Sequence, residues 1–369
     1  LSFMANTVDL NNINEYLDDE KTLTKNIESV AKLVKNAKHI VFFTGAGISA
    51  TANIPTFRGP DGVWTRQAQN KPPPNCPDLI KTSPTLCHMA LVGLLKHFKQ
   101  VTNQKGYITS QNIDGLHRRS GIDADEISEL HGNAFLETCW HCSKEYLQPF
   151  DVSGGVCGAG KCKECKTRVP YFCHCTSRLC SCGARLKDSI IHFKENLPQL
   201  ALTTAFQHAN AADLCIVLGS SCCVSPASHI PRTVAKRGGK LVVVNLQKTP
   251  LDDLCALRLF TKTDEFSQLL MDALAIDIPK FDPQQDPVLK NQNETSTSTT
   301  SGDQTQNGQS VIVSPPDVDL GGYVQPKRDC PHVTQSCTNL SLEKAKKVFQ
   351  QGCEKCDDKS ENWFCTQCQ

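Results

Sequence analysis

The chain has 369 residues, 39% hydrophobic and 21% charged, with a formal net charge of +1. These values fit a soluble protein with a real core and room for two domains; they offer no surface for nucleic acid or anionic membrane, and no run approaches the roughly 20 apolar residues that span a bilayer. Leu1 to Asp9 carry no basic stretch followed by an apolar one, so no secretory signal is expected there, and the opening on Leu1 with Met4 internal reads as a fragment.

In chain order, residues 1–24 read as an N-terminal extension, and Thr22 to Ala37 predicts an amphipathic helix, with Ile27, Val30, Leu33 and Val34 at helical spacing. Ile40 to Phe43, Ala212 to Leu218 and Leu241 to Val244 are short apolar runs, each followed by Gly, Ser or Asn. That pattern suits buried parallel strands whose C-terminal ends meet at a ligand crevice. Pro84 to Phe98 and Pro198 to Ala211 read as the intervening helices. Together they predict an α/β, doubly wound, Rossmann-like parallel sheet over residues 25–278. Residues 279–327 read as a disordered linker, because Asn291 to Ser310 is almost all Thr, Ser, Gln, Asn and Gly and cannot bury enough surface to offset chain entropy.

The 21 cysteines fall in two islands, Cys139 to Cys182 and Cys330 to Cys368. Paired spacings favour zinc in a reducing compartment over a disulfide framework, and two islands look like two metal modules.

Three blocks carry the chemistry. Thr44-Gly45-Ala46-Gly47-Ile48-Ser49 follows an apolar run, where the glycines allow a tight bend and small residues let a phosphate approach backbone N–H groups. Gln111-Asn112-Ile113-Asp114 and Leu130-His131-Gly132-Asn133 add amides, a carboxylate and an imidazole suited to chemistry on an adjacent ribose. Between them, Ile54 to Trp64 is a Pro- and Gly-rich loop whose Phe57, Arg58 and Trp64 could cover a cofactor or, for the two aromatics, anchor the loop to the core. Asp114 also has a second reading, as a loop Asx-turn residue. His117 and His192 lack a comparable context and receive no catalytic role.

With Gly219-Ser220-Ser221 and Val244-Asn245-Leu246-Gln247, these motifs stand in the order of the sirtuins, the Sir2 family of NAD-dependent protein-lysine deacylases, which residues 25–278 resemble. The Phe57-Arg58-Gly59-Pro60-x-Gly62-Val63-Trp64 form resembles the class IV branch, typically nuclear, so the resemblance implies an intracellular, nuclear or else cytoplasmic, protein. It implies attack of an acyl-lysine carbonyl oxygen on the ribose C1′ as nicotinamide departs, with release of 2′-O-acyl-ADP-ribose. His131 would be the general base on a ribose hydroxyl. Gln111 would bond the ribose, and Asn112 and Asp114 would line the nicotinamide pocket. Gly45, Ala46, Gly47, Ser49, Phe57, Arg58 and Trp64 would lie near the ribose and phosphates, and Gly219, Ser221, Asn245 and Gln247 would hold the adenosine half. Acylated protein lysines, histones among them, are the implied partners.

The family also carries a structural zinc on two cysteine pairs. Cys139 and Cys142 make the first; Cys180 and Cys182 stand where the second belongs, but with one intervening residue rather than two, so Cys175 or Cys173 could substitute. The module spans roughly residues 134–188, and its insert from Cys157 to Cys175 leaves a second zinc site open. Residues 328–369 resemble the start of a UBP-type zinc finger, which binds the free C-terminus of ubiquitin; Cys330, His332, Cys353, Cys356, Cys365 and Cys368 are its candidate ligands, in a module that reads as cut short. Two rivals stand beside the deacylase: a mono-ADP-ribosyltransferase on the same fold, and a non-catalytic scaffold that binds NAD and ubiquitin.

Overall fold

The computed structural model describes residues 13–153 and 173–290. The expected linker from 291 onward, the six ligands of the C-terminal finger, and Cys157, Cys162 and Cys165 of the insert lie outside the described residues.

Among the described residues there are ten strands: β1 (His39–Thr44), β2 (Lys105–Ser110), β3 (Ile127–Glu129), β4 (Leu136–Cys139), β5 (Glu145–Leu147), β6 (Cys175–Leu179), β7 (Arg185–Asp188), β8 (Leu214–Leu218), β9 (Lys240–Val244) and β10 (Leu257–Leu259). Seven α-helices accompany them: α1 (Glu20–Asn36), α2 (Val63–Ala68), α3 (Leu86–His97), α4 (Leu116–Arg119), α5 (Gln199–Ala211), α6 (His229–Lys236) and α7 (Thr263–Leu274). Six strands form one sheet in the order β10-β9-β8-β1-β2-β3, all parallel. The chain runs outward from β1 to β3, then restarts at β8 on the other side of β1. The order therefore reverses between β1 and β8, and a doubly wound sheet opens a crevice at that point.

Alternation along the strands divides the core. Ile40 and Phe42 of β1, with Ile216 of β8 and Val242 of β9, face α1, α3 and α7. Val41 and Phe43, with Val217 and Val243, face α5 and α6. Both faces are apolar because both are covered, as parallel sheets require.

The helices start where caps place them. Asp19 accepts from Thr22 N, so α1 begins at Glu20, two residues before the sequence-based start, and extended backbone at Ala37 ends it. The Pro84–Phe98 segment yields α3 only from Leu86, because Thr85 and His88 form a reciprocal cap, and one π-turn, Phe98–Thr102, follows.

The second sheet, β5-β4-β7-β6, is antiparallel and is inserted between β3 and α5. Both terminal segments of the described chain pack on the large domain. Tyr16 N donates to Leu246 O (2.9 Å) and Asp18 N to Phe260 O (2.8 Å), so residues 15–18 form a strap across the ends of β9 and β10. Residues 279–290, read from the sequence as the linker's beginning, instead dock: Asp286 and Val288 are fully buried. Asp286 Oδ2 accepts from Arg119 Nε at 2.8 Å, and Val288 joins Ala134 and Phe135 in a small core.

Candidate functional site

The glycine turn after β1 meets the turn after β8 at the crevice. Gly47 N donates to Gly219 O (2.9 Å) and Gly45 N to Leu218 O (3.0 Å). A Cβ on Gly47 would stand 2.7 Å from Gly219 Cα, and Gly219 itself holds φ +61°. These glycines therefore let two loops touch. The N–H groups of Gly45 and Gly47 are spent on that junction, and Ala46 between them is half-buried. The turn continues as a 3₁₀ segment, Ala46–Ala52.

The loop between Ile54 and Trp64 separates its two aromatic roles. Trp64 is buried and anchors α2, while Phe57, 44% exposed, lies 4.8 Å from it. The Arg58 guanidinium sits 4.5 Å over the Trp64 ring and donates to Ser221 Oγ at 3.1 Å. Burial lowers the Arg58 pKa without discharging a guanidinium.

From β2, Gln111 Nε2 donates to Ser220 Oγ (2.7 Å), so the two sides of the crevice are tied by side chains. Ser220, within the quoted Gly-Ser-Ser, escaped the sequence reading because a serine in a turn carries no signal of its partner; its hydroxyl also accepts from Cys222 N. Just after β9, Asn245 Nδ2 donates to Gln247 O at 2.9 Å.

Asn112, Asp114 and Ser49 form one buried group. Ser49 Oγ donates to Asp114 Oδ2 (2.6 Å) and accepts from Asn112 Nδ2 (3.2 Å). Asp114 Oδ1 accepts from Leu116 N at 2.9 Å. Asp114 therefore makes the Asx turn, and a carboxylate with about four acceptor sites keeps capacity for further donors. Ser49 is fully buried and supports Asp114 from beneath. His117 is buried with its Nε2 2.9 Å from Thr44 Oγ1, and His192 is exposed, stacked on His174.

His131 follows β3. Its Nδ1 lies 2.9 Å from Gln111 O. A carbonyl only accepts, so Nδ1 carries the hydrogen and Nε2 keeps a lone pair. Burial lowers the imidazole pKa, partly opposed by the Gln111 carbonyl, which favours the neutral base at neutral pH. The next residue fixes the backbone: Gly132 holds φ +85°, and a Cβ there would lie 1.9 Å from Ser189 O. Ile191 N donates to His131 O at 3.0 Å, so the chain returning from the small sheet braces the imidazole.

At the tip of the small sheet, Cys139, Cys142, Cys180 and Cys182 converge, with all four Sγ atoms within 4.8 Å of one another, the one such cluster among the described residues. Cys139 and Cys182 sulfurs are 3.6 Å apart, and Cys142 and Cys180 sulfurs 3.5 Å. A tetrahedron with Zn–S bonds near ~2.3 Å needs about 3.8 Å, so the set fits zinc. The one-residue spacing of the second pair suffices, because Gly183, at φ +84°, turns the chain sharply after Cys182. The Cys182 N–H and then the Tyr146 hydroxyl lower the Cys180 thiol pKa, while Cys180 in turn raises that of Cys182, so the proton is shared within the set rather than held on each sulfur. Cys175 is buried within β6, outside the cluster.

The Sir2 family model matches residues 75–226. The chain is 40% identical over 276 residues to the NAD-dependent protein deacetylase SRT1 of Arabidopsis thaliana, covering 72% of this chain and 53% of that protein. It is 33% identical to the NAD-dependent protein deacetylase Sirt6 of Drosophila melanogaster, covering 74% of this chain and 83% of that one. The chain thus spans about half the length of the Arabidopsis relative. A solved Sir2 variant with a deacetylated p53 peptide and 3′-O-acetyl ADP-ribose superposes with a TM-score of 0.50 at 30% identity, over 68% of this chain and 99% of that one. A reversed parallel sheet, a glycine crevice, a braced imidazole and a four-cysteine module thus coincide with a relative 33% identical and matched over 83% of its own length, and the chain belongs to the Sir2 family.

Proposed function

We propose that this protein is an NAD-dependent protein-lysine deacylase. The observation that carries the reading is the His131 tautomer: Nδ1 is committed to Gln111 O, and Gln111 in turn reaches across the crevice to Ser220. A neutral Nε2 beside an amide rich in donors suits proton removal from a ribose hydroxyl.

The residues present fit a nicotinamide dinucleotide. Bound NAD would supply an electrophilic ribose carbon and a nicotinamide leaving group. Asp114 and Asn112 would hold the carboxamide, with Ser49 fixing the carboxylate's rotamer. Gln111 would orient the ribose, and Arg58 would offset phosphate charge beside Ser221. Asn245, Gln247 and Gly219 would border the adenosine half, and Phe57 would exclude water from above. Such alignment matters because an acyl carbonyl is a weak nucleophile, and orientation supplies much of the rate. Zinc in the four-cysteine set would hold the small sheet and take no part in the reaction.

Substrate and address extend the proposal. Acylated protein lysines, histones included, are the substrates, the tail after residue 327 reads the ubiquitin C-terminus, and the nucleus is the compartment. The test is incubation with NAD and acetyl-, succinyl- and long-chain-acyl-lysine peptides. Nicotinamide release with acyl-ADP-ribose supports deacylation; ADP-ribose on protein with intact acyl-lysine supports the transferase; dinucleotide binding without release supports the scaffold. His131→Ala is expected to cut turnover by roughly 10²–10⁴-fold, and full turnover in that variant refutes the base assignment.

A further inference from the structure

Dinucleotide-binding units commonly place an Asp or Glu at the end of the strand that follows the glycine turn and helix, where it takes the adenosine ribose hydroxyls. In the unit formed by β8, Gly219, α6 and β9, that position is Asn245, and its amide nitrogen is engaged with Gln247 O at 2.9 Å. A carboxylate reaches the same rim from outside the sheet. The strap that bonds Tyr16 N to Leu246 O brings Glu15 alongside Gln247. Glu15 Oε1 lies 3.1 Å, and Gln247 Oε1 3.9 Å, from the point where a side chain on Gly59 would begin. Gly59 follows Arg58, whose guanidinium bonds Ser221 at the β8 turn. Glu15, Gln247 and the Arg58 loop thus frame one opening, kept clear of a Cβ by a residue at φ +104°.

No hydrogen bond among the described residues occupies the Glu15 carboxylate. Partial burial raises its pKa, Asp61 adds to that, and Lys262 opposes it, so the group sits at the crevice edge with one cation near. We infer that Glu15 reads the adenosine ribose of the bound dinucleotide, accepting from its 2′- and 3′-hydroxyls and rejecting a 2′-phosphate. The inference rests on the deacylase reading only in taking a nicotinamide dinucleotide as ligand.

The test titrates the full chain and its E15Q and E15D variants with NAD, NADP and the hypoxanthine analogue of NAD, and follows turnover on an acetyl-lysine peptide. Wild type is expected to bind NAD more tightly than NADP. E15Q should raise Kd and KM for NAD about tenfold, the loss of one charge-assisted bond, and leave or improve NADP affinity. The hypoxanthine analogue should suffer the same loss, kcat should move less than about twofold, and E15D should recover part of the preference. Equal weakening of NAD and NADP, no change in either, or a loss that vanishes with the analogue overturns the assignment. If wild type binds neither dinucleotide, the deacylase reading itself fails and takes this inference with it.

Discussion

Arg119 and Asp286 are both shut from solvent, at 1% and 0% side-chain exposure, and they meet at 2.8 Å. The guanidinium also donates to Leu79 O (2.7 Å) and Ile80 O (3.2 Å), so each of its three nitrogens has a partner. Asp286 Oδ1 accepts from Val288 N at 2.8 Å, which pins the last described turn. Asp286→Ala therefore strands a buried cation, a loss of about 3–5 kcal/mol, and removes a turn bond of about 1 kcal/mol. At about 2–4 °C per kcal/mol for a domain of this size, the melting temperature should fall by roughly 10–20 °C. Circular dichroism melts measure it directly. The paired change Arg119→Met with Asp286→Leu should recover most of the loss, since replacing both charges leaves nothing unpaired. A drop under about 3 °C for Asp286→Ala, or a double variant as unstable as the single, refutes the reasoning.

Three further outcomes follow from the geometry. Cys182→Ser should lose the bound zinc and nicotinamide release together, whereas Cys175→Ser should retain the metal; mass-spectrometric zinc content separates them, and metal loss from Cys175→Ser instead would discredit the four-cysteine set. His174 lies between Asp188 and Glu195, at 2.8 Å from each, and the Asp188 bond first, then Glu195, lifts its pKa to about 9 against the burial that opposes them. Because the folded value exceeds the unfolded ~6.5, the clamp's stabilisation is complete below about pH 6.5 and disappears as pH rises through about 9. Melts of wild type should decline across that window, and those of His174→Gln should be flatter; superimposable profiles would show that the clamp is not ionised. Gly132→Ala must accept both a left-handed backbone, about 1–3 kcal/mol for a residue with a Cβ, and a 1.9 Å collision with Ser189 O; a variant that melts and turns over like wild type would contradict the tight junction beside His131.

The strands that could be read directly were those with long apolar runs. β1, β8 and β9 are buried along nearly their whole length, so nothing polar interrupts them. β2 opens on Lys105 and Gly106 and is apolar only at Tyr107 and Ile108, and β3 and β10 have three residues each, too few for a pattern to emerge. The candidate site could be proposed from the sequence because its residues lie in short contiguous blocks. What joins the blocks was not: Gln111 finds Ser220 across the switch point, and Asp286 finds Arg119 167 positions away. Asp286 sits in a Pro- and Gln-rich stretch that reads as solvent-exposed, and only the buried arginine far upstream reverses that. The linker boundary was misplaced for the same reason.

The small sheet leaves the large one through His131 to Leu136 and comes back through Asp188 to Ile191, and these two crossings bond each other: Ser189 N to Leu136 O (3.1 Å) and Ile191 N to His131 O (3.0 Å). A module attached through a single paired stem is a cassette. Its distal end can lengthen, shorten or change its ligand spacing without altering the stem, since extra loop costs grow only logarithmically with length. Exchange of whole modules between distant relatives should therefore succeed wherever the stem residues, Gly132 and Ser189 above all, are carried across with them.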